Sequence, residues 1–147
     1  MDGRIRPLAL ALIRRGDEIL VEEGRDEVKD ETFSRLLGGT IEFGERGAEA
    51  LRRELLEELG TESEVERLVG TIENMFMYEG EPSHEIALVF ECTLRDDRLY
   101  ALDAWEADEV RRDGVVKHKL AWRRLDSFRS GGEILYPEEV LALLDQR

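Results

Sequence analysis

A chain of 147 residues has room for one substantial hydrophobic core and not for two, so a single domain is expected over residues 1–147. Its net charge of −14 and pI near 4.6 argue against nonspecific nucleic-acid binding, which relies on Lys and Arg to neutralise phosphate. Cys92 is the one cysteine, which excludes an intrachain disulfide, and Arg4, Arg6, Arg14 and Arg15 interrupt the one apolar segment that resembles a leader. These features point to a cytoplasmic protein with no membrane span, in which Cys92 is a small apolar strand residue.

In chain order, Leu8 to Ile13 is apolar, Arg15-Gly16-Asp17 makes a turn, and Glu18 to Val21 resumes the apolar pattern, which predicts a β-hairpin. The charged segment Gly24 to Glu31 is expected as a surface loop. A strand at Phe33 to Leu37 then delivers the chain to Gly38-Gly39, where paired glycines permit positive φ or close approach of backbone to a ligand. From Gly47 the apolar positions Ala48, Leu51, Leu55 and Leu59 follow helical spacing, and Gly60 is placed as a left-handed cap.

Alternation returns at Glu64 to Met77 and at Glu85 to Glu91, two strands that the Gly80 to Ser83 turn would pair. Arg95 to Gly114 is acidic and irregular, and a last strand is expected around Leu120 to Arg123, with Trp122 in the core. Pro137 is expected to open a short amphipathic helix through Leu144. Strands around one central helix and a second terminal helix suggest a mixed sheet with helices on its faces.

The chemistry is concentrated in the central helix. At 3.6 residues per turn, Glu54, Glu57 and Glu58 project toward one side and flank the apolar stripe. Such pairs repel by roughly 0.2 to 0.5 kcal/mol each on an isolated helix. A bound divalent cation would reverse that repulsion, because hard cations such as Mg²⁺ favour carboxylate oxygen. A phosphorylated substrate is unwelcome on so acidic a chain unless cations intervene, which also favours a metal-bridged site.

The wider spacing is more specific. Gly39 is followed after five residues by Glu45 and after seven more by Arg53-Glu54-Leu55-Leu56-Glu57-Glu58-Leu59-Gly60. This string resembles the signature box of the Nudix hydrolase family, matching all positions but the last, where Thr61 replaces an aliphatic residue. Leu37 also stands before the glycines where many members carry proline.

The resemblance implies an α/β/α sandwich with a mixed β-sheet and Mg²⁺-dependent hydrolysis of a phosphoanhydride bond, with Mn²⁺ as a substitute. The implied substrate is a nucleoside diphosphate linked to another moiety: a nucleotide, a nucleotide sugar or a dinucleoside polyphosphate. It implies metal ligation by Glu57, Glu58, the Gly39 carbonyl and Glu54, with Glu54 alternatively the general base. Arg53 and Glu45 would form an orienting pair that need not touch substrate.

Glu106 and Glu109 are further candidates for the base, weighed against simple solvated loop charges. Arg35 could reach phosphate, and Tyr78 occupies a region where dinucleoside polyphosphate hydrolases carry a tyrosine. Trp105 is a candidate for stacking on a base, and His84 reads as a strand-edge residue. The expected partner is a small-molecule nucleotide diphosphate, with no nucleic acid and no membrane; a homodimer is left open. Two rivals stand beside this reading. One is a noncatalytic nucleotide-binding sensor of the same fold; the other is an acidic surface with no metal function.

Overall fold

The computed structural model describes residues 3–145. Strand β1 (Ile5–Arg15) turns at Gly16, whose φ is 62°, into β2 (Glu18–Asp26), followed by β3 (Glu31–Arg35) and β4 (Leu37–Thr40). Helix α1 (Gly47–Leu59) precedes a long hairpin of β5 (Ser63–Tyr78) and β6 (Glu81–Leu94). A 3₁₀ turn at Asp97–Ala101 leads to β7 (Ala104–Arg111), β8 (Gly114–Arg124), α2 (Leu125–Arg129), β9 (Leu135–Tyr136) and α3 (Val140–Leu144).

The strands form one mixed sheet that splits. β1 and β2 pair only beside their turn, Arg14 with Ile19 and Arg15 with Glu18. Beyond it they diverge. β1 runs parallel to β6 and antiparallel to β4, while β2 lies between β3 and β8. The wedge opened by that divergence becomes the cavity described below.

Alternation along β1 assigns its side chains to two cores. Ala9, Ala11 and Ile13 pack with Leu20, Leu37 and the α1 residues Ala50, Leu51 and Leu55. Leu10 and Leu12 pack on the opposite face with Ile19, Val21, Leu125, Phe128 and Val140. Helix α1 thus covers one face and α2 with α3 the other, which is the expected α/β/α sandwich.

Four local expectations are corrected. β2 continues to Asp26, so the segment predicted as a loop from Gly24 is strand in its first part. Asp26 turns the chain there by accepting from the Val28 and Lys29 amides at 2.9 and 3.0 Å. The stretch from Arg95 to Gly114, read as irregular, contains β7, paired along its full length with β8. Its alternation was hidden because charged residues occupy both faces. Helix α3 begins at Val140 and not at Pro137, and α1 buries Ala50 where Ala48 was expected.

Helix α1 begins where the Glu49 carboxylate accepts from the Arg46 amide at 3.0 Å, and it ends at Gly60 with φ 72° and a bond to the Leu56 carbonyl. Thr61 is buried next to that cap. Its hydroxyl donates to the Glu62 carbonyl at 3.0 Å and accepts from the Asp96 amide at 3.1 Å. A polar residue is therefore satisfied where the signature has an aliphatic one. Trp122 is a core residue, as read: it donates to the Leu99 carbonyl at 3.0 Å and stacks on Tyr100 at 5.3 Å. Burial pushes the Cys92 thiol up to about 12, so it has no nucleophilic character near neutrality.

Candidate active site

The wedge between β1 and β2 holds a cavity of about 540 Å³. One end is acidic and lies under α1, where Glu54 and Glu58 face Glu22 of β2 and His118 of β8. The other is partly aromatic, with Phe33, Phe76, Tyr78 and Tyr136. Gly38, Gly39 and Thr40 of β4 also line the cavity, Gly39 against the Glu54 carboxylate, and Arg6, Arg35 and Arg111 bring positive charge to it.

Helical rotation of about 100° per residue separates the three helix carboxylates. Glu58 is 4% exposed and turned under the helix toward the sheet. Glu54 is partly buried beside Gly39, and Glu57 is exposed at the mouth, outside the cavity lining. The expected convergence of all three is therefore a fan, with Glu54 and Glu58 inward and Glu57 outward.

Arg53 braces the fan. Its Nε and one terminal nitrogen donate to the two oxygens of Glu45 at 2.8 and 2.9 Å, a bidentate fork. The same terminal nitrogen donates to the Thr40 carbonyl at 3.1 Å, and the other reaches Glu54 at 3.0 Å and Glu57 at 3.4 Å. One guanidinium thus ties the glycine turn, the Glu45 loop and two helix carboxylates together.

The Arg53 hydrogen bonds, helped by the Glu42 backbone, hold the Glu45 carboxyl down to about 2 against an ordinary 4.5. A depressed folded value means that the stabilisation is complete above about pH 4.5 and is lost as pH falls through about 2. Wild type is expected to lose more melting temperature between pH 5 and pH 3 than Glu45→Gln does. Equal losses in the two proteins would refute this role.

Glu58 makes no hydrogen bond or ion pair with any described residue, although four other charged groups surround it. Burial, then the charges of Glu22 and Glu54, push its carboxyl up to about 9. Burial likewise raises Glu54, against the opposing effect of Arg53. Arg111 chiefly lowers Glu109, through two contacts of 3.0 and 3.1 Å.

His118 is 4% exposed and lies between two carboxylates, its Nδ1 2.5 Å from Glu22 and its Nε2 2.9 Å from Glu109. Burial alone would lower its pKa, but the contacts with Glu22 and Glu109 together outweigh that and raise it. Glu22, Glu58 and His118 each offer one ligand atom within 4.8 Å of the others. This donor set, with one buried carboxylate lacking any partner, fits a divalent cation.

Of the other sequence candidates, Arg35 and Tyr78 both line the cavity. Arg35 approaches Glu22 at 3.4 Å; Tyr78 donates to the Arg25 carbonyl at 3.2 Å and meets Phe33 edge-on at 6.2 Å. Glu109 is buried on β7, which overturns its reading as a solvated loop charge, whereas Glu106 points to solvent from the other face. Trp105 packs against the core and is not among the cavity residues, and His84 sits on β6 opposite Ile5 and Met75. Glu22 and His118 were not singled out from the sequence. The alternation Val116, His118, Leu120, Trp122 was the available signal for His118.

A split mixed sheet whose wedge is closed by a carboxylate-bearing helix defines an α/β domain built to hold charge at one end of a cavity. A profile of the NUDIX domain matches residues 4–131, and the chain belongs to the Nudix hydrolase family. Its fold is similar to that of a Nudix hydrolase from Nitrosomonas europaea, at 21% identity and TM-score 0.65, over 97% of this chain and 87% of that one. It is also similar to a MutT Nudix hydrolase from Burkholderia pseudomallei, at 24% identity and TM-score 0.62, covering 98% and 99% of the two chains. An ADP-ribose pyrophosphatase from Streptococcus suis matches at 18% identity and TM-score 0.59, covering 95% and 89%. No helix among the described residues is long and apolar enough to cross a membrane.

Proposed function

We propose that the protein hydrolyses a phosphoanhydride bond in a nucleoside diphosphate linked to a second moiety, using Mg²⁺ or Mn²⁺. The observation that carries this reading is Glu58, a carboxyl of α1 buried at the acidic end of the cavity with no hydrogen bond or ion pair to any described residue, where the burial and the neighbouring carboxylates outweigh the charge of Arg35. Ionising a carboxyl so placed is costly unless a cation joins it. The similarity in fold to enzymes named as pyrophosphatase and MutT hydrolase supports the same class of reaction.

Glu54 and Glu58 would hold the cation, with Glu57 turning in from the mouth and the Gly39 carbonyl adding a backbone oxygen. A cation bound there supplies charge neutralisation at phosphate oxygens and lowers the pKa of water. In the alternative to ligation, Glu54 would take a proton from the attacking water, a role supported by the burial that raises its basicity and by the Arg53 contact that fixes its position. Arg53 acts as a positioning residue. Arg35 and Arg6 line the same cavity and would meet the phosphates, although each also has a carboxylate partner, Glu22 and Glu85 respectively. The aromatic end, with Phe33 and Tyr78, would receive a planar ring.

The test is phosphate release in the presence of Mg²⁺ or Mn²⁺ from a panel of nucleoside triphosphates, ADP-ribose, nucleotide sugars and dinucleoside polyphosphates. At least one class is expected to turn over, and Glu57→Gln is expected to lower kcat about 10²-fold, equivalent to about 2.7 kcal/mol of barrier. No turnover across the panel, or full activity in that variant, would overturn the reading.

A further inference from the structure

We infer that His118 is a nitrogen ligand of a divalent cation held together with Glu22 and Glu58, and that Glu109 orients the ring from behind. The inference rests on the reading of Glu58 as a metal ligand given above. It adds two residues from β2 and β8, and predicts a preference for cations that accept nitrogen.

The argument starts from the ring. An imidazole nitrogen faces a carboxylate across a proton, and a metal ion takes the place of that proton when the two groups open to coordination distance. Nε2 is 2.9 Å from Glu109, which Arg111 grips through both oxygens, so that side is built as a fixed acceptor for an N–H. Nδ1 meets Glu22 at 2.5 Å across a proton that a cation would displace, and Glu58 offers a further oxygen to the same place. Three donor atoms from three elements lie within 4.8 Å of one another, and one of them, Glu58, is nine-tenths buried with no hydrogen bond or ion pair.

A carboxylate behind the non-ligating nitrogen is the arrangement that fixes the tautomer and orientation of metal-bound histidines. β-sheet register supplies it here. His118 faces Ala107 across the β7–β8 ladder, which sets Glu109 two residues along on the same face. Glu22 pairs with Leu120 across the β2–β8 ladder, again two residues from His118 and on its face.

Chemical class follows from the donors. An all-oxygen set suits Mg²⁺, whereas an imidazole shifts preference toward Mn²⁺, Co²⁺ and Zn²⁺. With metal-free full-length protein, pulsed electron paramagnetic resonance of bound Mn²⁺ is expected to show coupling to an imidazole nitrogen, and His118→Gln to lose it. Calorimetric titration should show Co²⁺ binding at least about 10-fold tighter than Mg²⁺, with the ratio falling about 10-fold in His118→Gln. Glu109→Gln should weaken Co²⁺ about 10-fold or more without removing the nitrogen coupling.

Mn²⁺ binding to wild type without nitrogen coupling would overturn the role of His118 and leave the carboxylate reading standing. An unchanged Co²⁺ to Mg²⁺ ratio in His118→Gln would do the same. No binding of any of these cations to wild type would overturn both readings. The wild-type nitrogen measurement decides the matter even where a variant fails to fold.

Discussion

Glu58→Gln is expected to make the metal-free protein more stable at pH 7 and to lower turnover about 10³-fold. The stability gain follows from burial. In the unfolded chain the Glu58 carboxyl ionises near 4.5, whereas in the fold it stays protonated up to about 9. A raised folded value means that the carboxyl disfavours folding increasingly as pH rises from about 4.5 to about 9. At pH 7 the difference is on the order of 3 kcal/mol, which converts to roughly 5 to 10 °C in melting temperature for a domain of this size. Glutamine keeps the shape and cannot ionise, so the variant should also lose that part of the pH slope. Its catalytic loss corresponds to about 4 kcal/mol of transition-state charge stabilisation forfeited with the cation. Saturating Mn²⁺ should raise the melting temperature of wild type and leave the variant unmoved. A variant less stable than wild type at pH 7 without metal would show that Glu58 is a structural residue.

The opposite behaviour of structure and activity at one residue illustrates what the sequence made legible. The spacing from Gly39 to Gly60 located the helix, its left-handed cap and the Arg53 brace, because all of these are set by contacts close in sequence. The β5–β6 hairpin was legible for the same reason: long alternating runs on either side of a turn. What stayed hidden came from distant positions brought together by register. Glu22, Glu109 and His118 belong to β2, β7 and β8 and meet on the face of the sheet beneath α1. Within a strand a single charged residue reads as solvent-facing, and Glu109 was obscured further because Glu106 and Asp108 on the other face carry the same charge. Inward alternation of Trp105, Ala107 and Glu109 opposite Val116, His118 and Leu120 is visible only after the Gly114 turn fixes the ladder. The inner floor of the acidic pocket was therefore unreadable, whereas its helical roof was plain.

Adjacent glycines at the roof's edge should separate stability from catalysis. Gly38 has φ 142°, and a Cβ there would run into the Ala9 carbonyl oxygen and come within 2.9 Å of the Leu10 Cα. Both obstacles are backbone of β1, which pairs with β4 and β6 and cannot yield locally. Gly38→Ala is therefore expected to cost about 3 kcal/mol or more, a large share of the roughly 5 to 15 kcal/mol that holds a typical domain together. At Gly39 the conformation is ordinary, and a Cβ would instead press on the Glu54 carboxylate, with both oxygens at 2.6 Å. That side chain can rotate aside, so Gly39→Ala should change stability by less than about 1 kcal/mol. The displaced carboxylate would leave its 3.0 Å contact with Arg53, and a shift of about 1 Å in a positioned group is enough to cost about 10²-fold in rate. Melting curves and kcat measured on the two alanine variants should thus move in opposite proportions. Wild-type kcat in Gly39→Ala would remove Glu54 from the chemistry, and a wild-type melting temperature in Gly38→Ala would show that β1 yields where its two ladders are expected to hold it.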